Sequence, residues 1–337
     1  MPKHRATIQD VSRLCGVSTA TVSRVINQNG RYSPETERQV RDAITQLGYV
    51  PNLAAKNLRM NTTHLVGILV SHLDYEYVNK ITTTLEAGLF QQGYIAIVCN
   101  VSEECDNEQT YLDAMFALNI CALFVFSTGH TIHQPNERHI PVIYINRYPE
   151  RLSDELCCAI ETDSVSAGYK AGAALLDARC KRIAMVSSAS SGSGSRPRDR
   201  EIGFIKALWE HNVPCEKELF VRLPENSQYI DAFQAMNRKL EEGLVADGYF
   251  CESDIFALSA IRSLELHHLR VPEDVKVIGC NDMSVATYNN KAITTISHQT
   301  DAICELAIAN MKRLLAGETL AEKHTVFDVE LVRRETT

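Results

Sequence analysis

Long apolar runs are missing from this sequence. No run approaches the roughly 20 consecutive apolar residues of a transmembrane helix, and the first residues lack the apolar core of a signal peptide. We therefore expect a cytoplasmic protein that has no membrane partner.

Paired cysteines and catalytic motifs are missing as well. The eleven cysteines include no Cys-x-x-Cys spacing, so we expect reduced thiols rather than a zinc site or a disulfide framework, with a redox-sensing cysteine as the weaker alternative. There is no nucleophile elbow, metal-ligand cluster or spaced carboxylate pair, and the Ser- and Gly-rich residues 187–195 lack the Gly-Lys-Ser/Thr ending of a P-loop. We therefore expect that the protein is not an enzyme and that it binds no cofactor and no metal.

The charge that is present is distributed unevenly. Residues 1–60 carry nine Lys and Arg against four Asp and Glu, a net charge of +5, whereas the whole chain has a net charge of −8. The remaining residues therefore carry −13. A basic segment joined to an acidic body is typical of a protein that binds nucleic acid with one end.

The amino-terminal residues show the pattern of three short helices. Thr7 and Asp10 form a capping box at the start of the first helix, and Gly16 is placed to end it. Ser18 caps a second helix that exposes small polar groups and one arginine, and a third begins at Pro34. This is the pattern of a helix-turn-helix, which makes double-stranded DNA the expected partner.

After residue 63, short apolar runs alternate with helical stretches. Runs that are apolar on consecutive residues are typical of parallel strands buried on both faces. The predicted strands are residues 65–70, 94–99, 121–126 and 142–145 in a first series, and 182–186, 220–223, 248–251 and 275–280 in a second. Two series predict an α/β body of two lobes, with a ligand cleft at the carboxyl ends of the strands.

Several motifs give the chain a resemblance to the LacI/GalR family of bacterial transcription regulators over nearly its full length. The motifs in the head are Thr7-Ile8-Gln9-Asp10-Val11, Gly16-Val17-Ser18, Thr21-Val22-Ser23-Arg24-Val25-Ile26-Asn27 and Gly48-Tyr49-Val50-Pro51-Asn52. The body is similar more diffusely, for example at Arg200 with Gly203-Phe204 and at Thr294-Thr295-Ile296. The resemblance implies a homodimer that represses transcription from an operator and carries a periplasmic-binding-protein-like body for a small effector.

This organisation gives definite domain boundaries. We expect a helix-turn-helix domain at 1–50, a hinge helix and linker at 51–62, and an effector-binding and dimerisation domain at 63–337. The first lobe is expected at about 63–161 plus 297–324, and the second at about 162–296 plus 325–337.

The predicted DNA contacts lie in the head and the hinge. Thr19 and Ala20 match the family positions that set operator preference, and Arg24 matches a base-contacting arginine whose fork suits a guanine edge. Polar groups that suit phosphate oxygens are expected to fix the register, and Arg31 is expected to reach base or backbone. The remaining predicted contacts in the head are Thr7, Ser18, Thr21, Ser23 and Asn27.

The hinge residues carry a separate prediction. Leu58 matches the leucine that such regulators push into the minor groove, where an apolar wedge kinks the duplex. A helix of about two turns is marginal by itself, so we expect it to fold only on DNA or against its partner. Asn52, Ala55 and Arg59 are the other predicted hinge contacts.

Pocket candidates follow from the ends of the predicted strands. Arg200 matches the family's effector arginine, which suits a hydroxyl or a carboxylate. The other predicted effector contacts are His72, Tyr75, Tyr77, Asn146, Arg147, Asp163, Ser253, Asn281 and His298. Tyrosines at such a position suit stacking on a sugar ring or a base.

Two of these residues depart from the family pattern and leave the effector open. Ser253 stands where many members have asparagine, and Asn281 stands where many have an aspartate that grips ligand hydroxyls. A sugar or sugar derivative is the expected effector, and an anionic one such as a sugar phosphate or uronate is an alternative. A regulator without small-molecule response, or one controlled by a protein co-effector, is the alternative function.

Overall fold

The computed structural model describes residues 6–49, 63–101, 108–126, 139–146, 155–188, 197–224 and 226–337. The chain divides into two compact units, Met1–Thr63 and His64–Thr337. The predicted hinge contacts Asn52, Ala55, Leu58 and Arg59 lie outside the described residues.

The first unit is a three-helix head. Its helices are α1 (Ile8–Cys15), α2 (Thr19–Ile26) and α3 (Pro34–Leu47). The capping box between Thr7 and Asp10 is present, and Ser18 and Ser33 cap the next two helices through their hydroxyls. The helices close around a small core of Val11, Val22, Val25, Val40 and Ala43.

The second unit contains two six-stranded sheets, and the first of them forms the first lobe. Its order is β11-β5-β4-β3-β1-β2, and all its strand pairs are parallel. The strands are β1 (Leu65–Ser71), β2 (Ile95–Val101), β3 (Ala122–Phe126), β4 (Val142–Ile145), β5 (Cys157–Thr162) and β11 (His324–Phe327). The helices of this lobe are α4 (Glu76–Gln91), α5 (Glu108–Ala117) and α11 (Thr300–Leu315).

The second sheet forms the second lobe, in the order β12-β10-β9-β8-β6-β7. Only β12 is antiparallel to its neighbour among the described pairs. The strands are β6 (Ile183–Ser188), β7 (Phe220–Leu223), β8 (Gly248–Cys251), β9 (Lys276–Cys280), β10 (Thr294–Ser297) and β12 (Glu330–Val332). The helices are α6 (Ser164–Asp177), α7 (Pro197–Glu210), α8 (Tyr229–Glu241), α9 (Asp254–Leu266) and α10 (Val285–Tyr288), with a short 3-10 helix at Lys217–Leu219.

The chain passes between the lobes three times, and these crossings are tied together. The amide of Asp163 donates to the carbonyl of Phe327 at 2.8 Å, and Gln299 Nε2 donates to the carbonyl of Asp328 at 2.9 Å. The Asp328 carboxylate also accepts from Lys170 Nζ at 2.7 Å. Because β11 pairs with β5, the last crossing follows Phe327, three residues later than the predicted boundary at 324.

The apolar face of α4 lies inside the first lobe. Val78, Ile81 and Leu85 of α4 are buried against β1, β3 and α11. Their apolar spacing therefore reports the core of the lobe, as amphipathic helices of globular proteins ordinarily do. Among the described helices, none combines the length and the apolar character needed to cross a membrane.

Candidate functional site

The head presents one face of α2 to solvent. Thr19, Ala20 and Arg24 are exposed, whereas Val22 and Val25 on the opposite face are 0% and 1% exposed. The first turn of α2 therefore offers two small side chains to a partner, and its last turn adds one guanidinium. This is the surface that a major groove admits.

The other predicted head contacts serve the head's own structure as well. Thr7 holds the capping box of α1, and Ser18 Oγ accepts from the amide of Thr21 at 3.1 Å. Asn27 Nδ2 donates to the carbonyl of Ser23 at 2.7 Å, which ends α2. Capping and phosphate contact are compatible at Ser18, because its hydroxyl accepts from the Thr21 amide and can still donate its proton. The Thr7 hydroxyl already donates to Asp10 Oδ2 at 2.6 Å.

Arg31, the last of the predicted head contacts, is exposed in the segment between α2 and α3. Among the described residues of the head, none forms a hydrogen bond or an ion pair with its guanidinium. Its role at DNA stays a prediction.

The second unit brings several polar groups together at the carboxyl ends of its strands. Arg200, in the first turn of α7, donates from Nη1 to the carbonyl of Glu252 at 2.7 Å. Its Nη2 lies 3.5 Å from Asn281 Oδ1, just beyond β9. His298, just beyond β10, donates from Nε2 to the same Asn281 oxygen at 2.9 Å. The side-chain oxygen of Asn281 therefore faces two donors, and because this side chain is an amide it brings no negative charge to them.

The protonation of His298 follows from its burial. The side chain is 1% exposed, and burial, with Arg200 adding a like charge, lowers its pKa to about 3. The ring is therefore neutral, and because Nε2 carries the proton toward Asn281, Nδ1 is an acceptor. Nδ1 is buried and has no hydrogen-bond partner among the described residues, an arrangement that a donor on a ligand would satisfy.

Two further predicted residues reach this cluster from the first lobe. Tyr77, in the first turn of α4, lies with its ring centroid 5.2 Å from that of His298. Asn146 Nδ2 donates to the Tyr77 hydroxyl at 2.8 Å, and Asn146 Oδ1 accepts from the amide of Thr162 at 2.9 Å. Burial raises the pKa of Tyr77, so the phenol keeps its proton. The cluster is thus built from both lobes.

The lobes also touch directly beside the cluster. Glu76 Oε1 accepts from the amide of Ser284 at 2.8 Å, and Gln228 Nε2 lies 3.4 Å from Asp74 Oδ2. Both pairs join the segment after β1 to the second lobe. Opening the cleft would break these hydrogen bonds, so they are sensitive to the angle between the lobes.

The other predicted effector contacts either have partners of their own in the structure or lie outside the described residues. Asp163 and Ser253 cap α6 and α9 by accepting from the amides of Ser166 and Phe256. His72 stacks on Tyr75 with ring centroids 5.2 Å apart. Arg147 lies outside the described residues. The ligand contacts predicted for these residues stay predictions.

One buried acid in the cluster was missed by the sequence reasoning. Glu252 follows β8 directly and is 8% exposed, with its carboxylate against Ser188 at the end of β6. The sequence feature that could have indicated Glu252 is a charged residue immediately after the apolar run Gly248–Cys251 and next to Ser253, a predicted effector contact. Asp254 is also buried and accepts from the amide of Met283 at 2.7 Å, so it braces the segment after β9.

The depressed pKa of His298 predicts a pH-dependent stability. Between its ordinary pKa near 6.5 and about 3, the unfolded chain binds a proton that the folded protein does not, so this residue destabilises the fold as pH falls. Denaturant unfolding at pH 7 and pH 5 should show that His298→Gln loses about 2 kcal/mol less stability than wild type. His64→Gln, at an exposed histidine, should behave as wild type; equal losses in both variants would contradict the assignment.

The described residues contain no group of three or more His, Cys, Asp or Glu side chains placed to hold a metal ion. The cysteines among them are free thiols, and six are buried. These thiols therefore behave as small apolar side chains in the core.

Comparisons with known proteins place both units. Residues 7–52 match the family model of bacterial regulatory proteins, lacI family, and residues 173–337 match that of the periplasmic binding protein-like domain. The HTH-type transcriptional repressor PurR of Actinobacillus pleuropneumoniae serotype 3 is 31% identical over 98% of this chain and 97% of its own length. The HTH-type transcriptional regulator RegA of Clostridium saccharobutylicum is 28% identical over 98% and 99%.

Solved structures show the same fold. The lac repressor dimer bound to operator and the anti-inducer ONPF has a TM-score of 0.81 at 23% identity and covers 99% of both chains. The transcriptional regulator CelR in complex with cellobiose has a TM-score of 0.69 at 24% identity, over 99% of this chain and all of the other.

Proposed function

Because this chain belongs to the LacI family of bacterial regulatory proteins, we propose that it is a homodimeric repressor of transcription. Two heads read a pseudo-palindromic operator, and operator affinity changes when a small molecule occupies the cluster around Arg200. Since the operator is part of the chromosome, the protein acts in the cytoplasm. The observation that supports this proposal most directly is that one chain has both an exposed first turn of α2 and a polar cluster built from the two lobes.

The operator contacts of this proposal are those of the head. Arg24 binds a guanine edge with its forked donors, and Thr19 and Ala20 make the methyl and hydroxyl contacts beside it. Arg31 and the capping hydroxyls hold the backbone. The hinge then inserts Leu58 into the minor groove, where unstacking one step bends the duplex.

The structure of the cluster supports control by a small-molecule effector rather than by a protein co-effector alone. A buried histidine acceptor without a partner among the described residues, beside a guanidinium that makes only one short hydrogen bond, is costly unless a ligand completes it. The hydrogen bonds that link the lobes across the cleft respond to closure. Closure in turn changes the spacing of the two body amino ends, and so the folding of the hinges.

Binding to DNA tests the assignment of the head. With an operator selected from random duplexes by the wild-type protein, Arg24→Ala should weaken binding by about 10- to 100-fold, because one bidentate base contact contributes about 1–3 kcal/mol. Binding to unrelated duplex should weaken far less, since the phosphate contacts remain.

Arg41 provides the matched control, because it is also exposed but pairs with Glu37 on α3 at 2.7 Å. Arg41→Ala should leave the ratio of specific to non-specific binding near the wild-type value. An equal loss on both kinds of DNA in Arg24→Ala would show that Arg24 contacts the backbone and reads no base.

A further inference from the structure

Glu252 is a buried acid whose main-chain carbonyl accepts from Arg200, and only one of its two carboxylate oxygens has a donor among the described residues. Its Oε1 accepts from the amide of Ser188 at 2.6 Å and also from the Ser188 hydroxyl. In the described part of the chain no hydrogen bond reaches Oε2. Oε2 is not among the enclosed side-chain atoms that lack a partner, so it is accessible and is placed to take a donor from a bound molecule.

The same carboxylate alters the charge of the site. Arg200 donates to the main-chain carbonyl of Glu252 at 2.7 Å, and the two side chains are close enough for the charge of each to act on the pKa of the other. Burial raises the pKa of Glu252, while Ser188 and Arg200 act against that rise. With His298 neutral, Arg200 is the cation of the cluster. Glu252 Oε1 accepts from both donors of Ser188, as a carboxylate does, and in its ionised form Glu252 offsets the positive charge of Arg200.

We propose that Glu252 is the specificity-determining residue of the effector site, and that it selects an effector without negative charge that donates hydrogen bonds through hydroxyl or amino groups. The inference rests on the proposed function only in taking this cluster as the effector site. It argues against the sugar phosphates and uronates that Arg200 and Asn281 leave open in the sequence.

The physical basis is the cost of a second anion in a desolvated place. A phosphate or carboxylate on Arg200 would lie beside the Glu252 carboxylate, and like charges repel strongly where water is excluded. Hydroxyl groups of a ligand can instead donate to Oε2 and to Nδ1 of His298 and accept from Arg200, and amino groups can donate to the same two acceptors. Every group of the cluster is then satisfied.

Inorganic phosphate and Glu252→Gln test the charge directly. The amide of glutamine keeps an oxygen for Ser188 and removes only the charge, so Arg200 should become an anion site. Thermal unfolding at constant ionic strength should show phosphate binding at least about tenfold tighter in Glu252→Gln than in wild type. An equal phosphate response in the two proteins, whether present or absent, overturns the proposal.

Two variants separate the charge from other effects. Glu201→Gln makes the same change in net charge on α7, but Glu201 is paired with Arg222 at 2.6 Å, so it should gain no phosphate binding. Ser188→Ala removes the hydroxyl donor to Glu252 and keeps the charge, so it should respond as wild type. Phosphate binding gained equally by Ser188→Ala would show that Glu252 is only a positioning residue.

Wild-type protein alone provides a second measurement. Glucose, glucosamine and glucose 6-phosphate, and likewise ribose and ribose 5-phosphate, should be compared for thermal stabilisation. Within each set the phosphate should stabilise least, and a phosphate that stabilises best overturns the proposal. Neither measurement uses DNA, so a failure of operator binding would count against the proposed function and leave the charge selectivity to be judged separately.

Discussion

Replacing Gly203 with alanine is expected to destabilise the body by about 3 kcal/mol, because the new methyl has no room. A Cβ at 203 would lie 1.9 Å from the carbonyl oxygen of Val165 on α6, and a Cβ at Gly168 would lie 1.8 Å from the carbonyl oxygen of Arg200 on α7. Both contacts are with backbone, so only a separation of the two helices can relieve them. That separation would also move Arg200 away from the cluster.

Denaturant unfolding of the body, followed by far-UV circular dichroism, measures this loss. Gly88→Ala is the matched control, since Gly88 also lies within a helix but its Cβ would meet only the flexible end of Ile308 at 2.6 Å. That change should be nearly neutral, because alanine is the better helix former by about 1 kcal/mol. Equal stability of both variants would show that the contact between α6 and α7 is looser than described.

Arg200→Ala is expected to abolish the effector response while operator affinity stays near the wild-type value. Hydrogen bonds to a charged group contribute about 1.5–3 kcal/mol each. Losing two ligand contacts should therefore raise the effector concentration needed for half of the response by about 100-fold or more. The free protein also loses the cation that compensates Glu252. The measurement is operator binding against increasing concentrations of whichever sugar, sugar derivative or nucleobase shifts the wild-type affinity.

Arg200→Lys sharpens that experiment. Lysine keeps the charge but lacks the planar fork, so its response should lie between those of wild type and Arg200→Ala. A full response in Arg200→Ala would place the effector elsewhere, and a loss of operator affinity in the absence of effector would mean that Arg200 supports the head-to-body coupling.

The helices of the head follow from short-range signals. Thr7 with Asp10, Ser18, and Ser33 with Pro34 act within one turn of the residues they cap, so no tertiary contact is needed to place them. Most of the eight predicted strands are equally legible, because a strand that is buried on both faces is apolar at every position; β2 and β7 differ in having exposed positions.

Four strands escaped prediction, β5, β10, β11 and β12, and the two at the sheet edges, β11 and β12, are short or mixed in composition. β11 and β12 have partly exposed edge positions, and β12 has three residues. Such segments become strands only because a neighbour supplies their hydrogen bonds, here β5 and β10. Their own residues carry little of that information.

The candidate pocket divides in the same way. Tyr77, Asn146, Arg200, Asn281 and His298 meet in one cluster, as residues at the carboxyl ends of parallel strands are expected to do. Asp163 and Ser253 cap helices in the structure, as a short polar side chain before a helix commonly does, and their ligand contacts stay predictions. Residue type and position cannot separate those two uses.

Residue order and chemistry alone establish the DNA-binding head, the two-lobed body and the role of the strand ends, since each depends on neighbours within a few positions or on a periodic apolar pattern. The charge of the effector site was decided only by the tertiary structure. Glu252 and Arg200 are 52 positions apart, and only the close packing of α6 on α7 and the adjacency of β6 and β8 bring them together. A pair formed by folding leaves no local signal, yet it determines which molecule the cluster accepts.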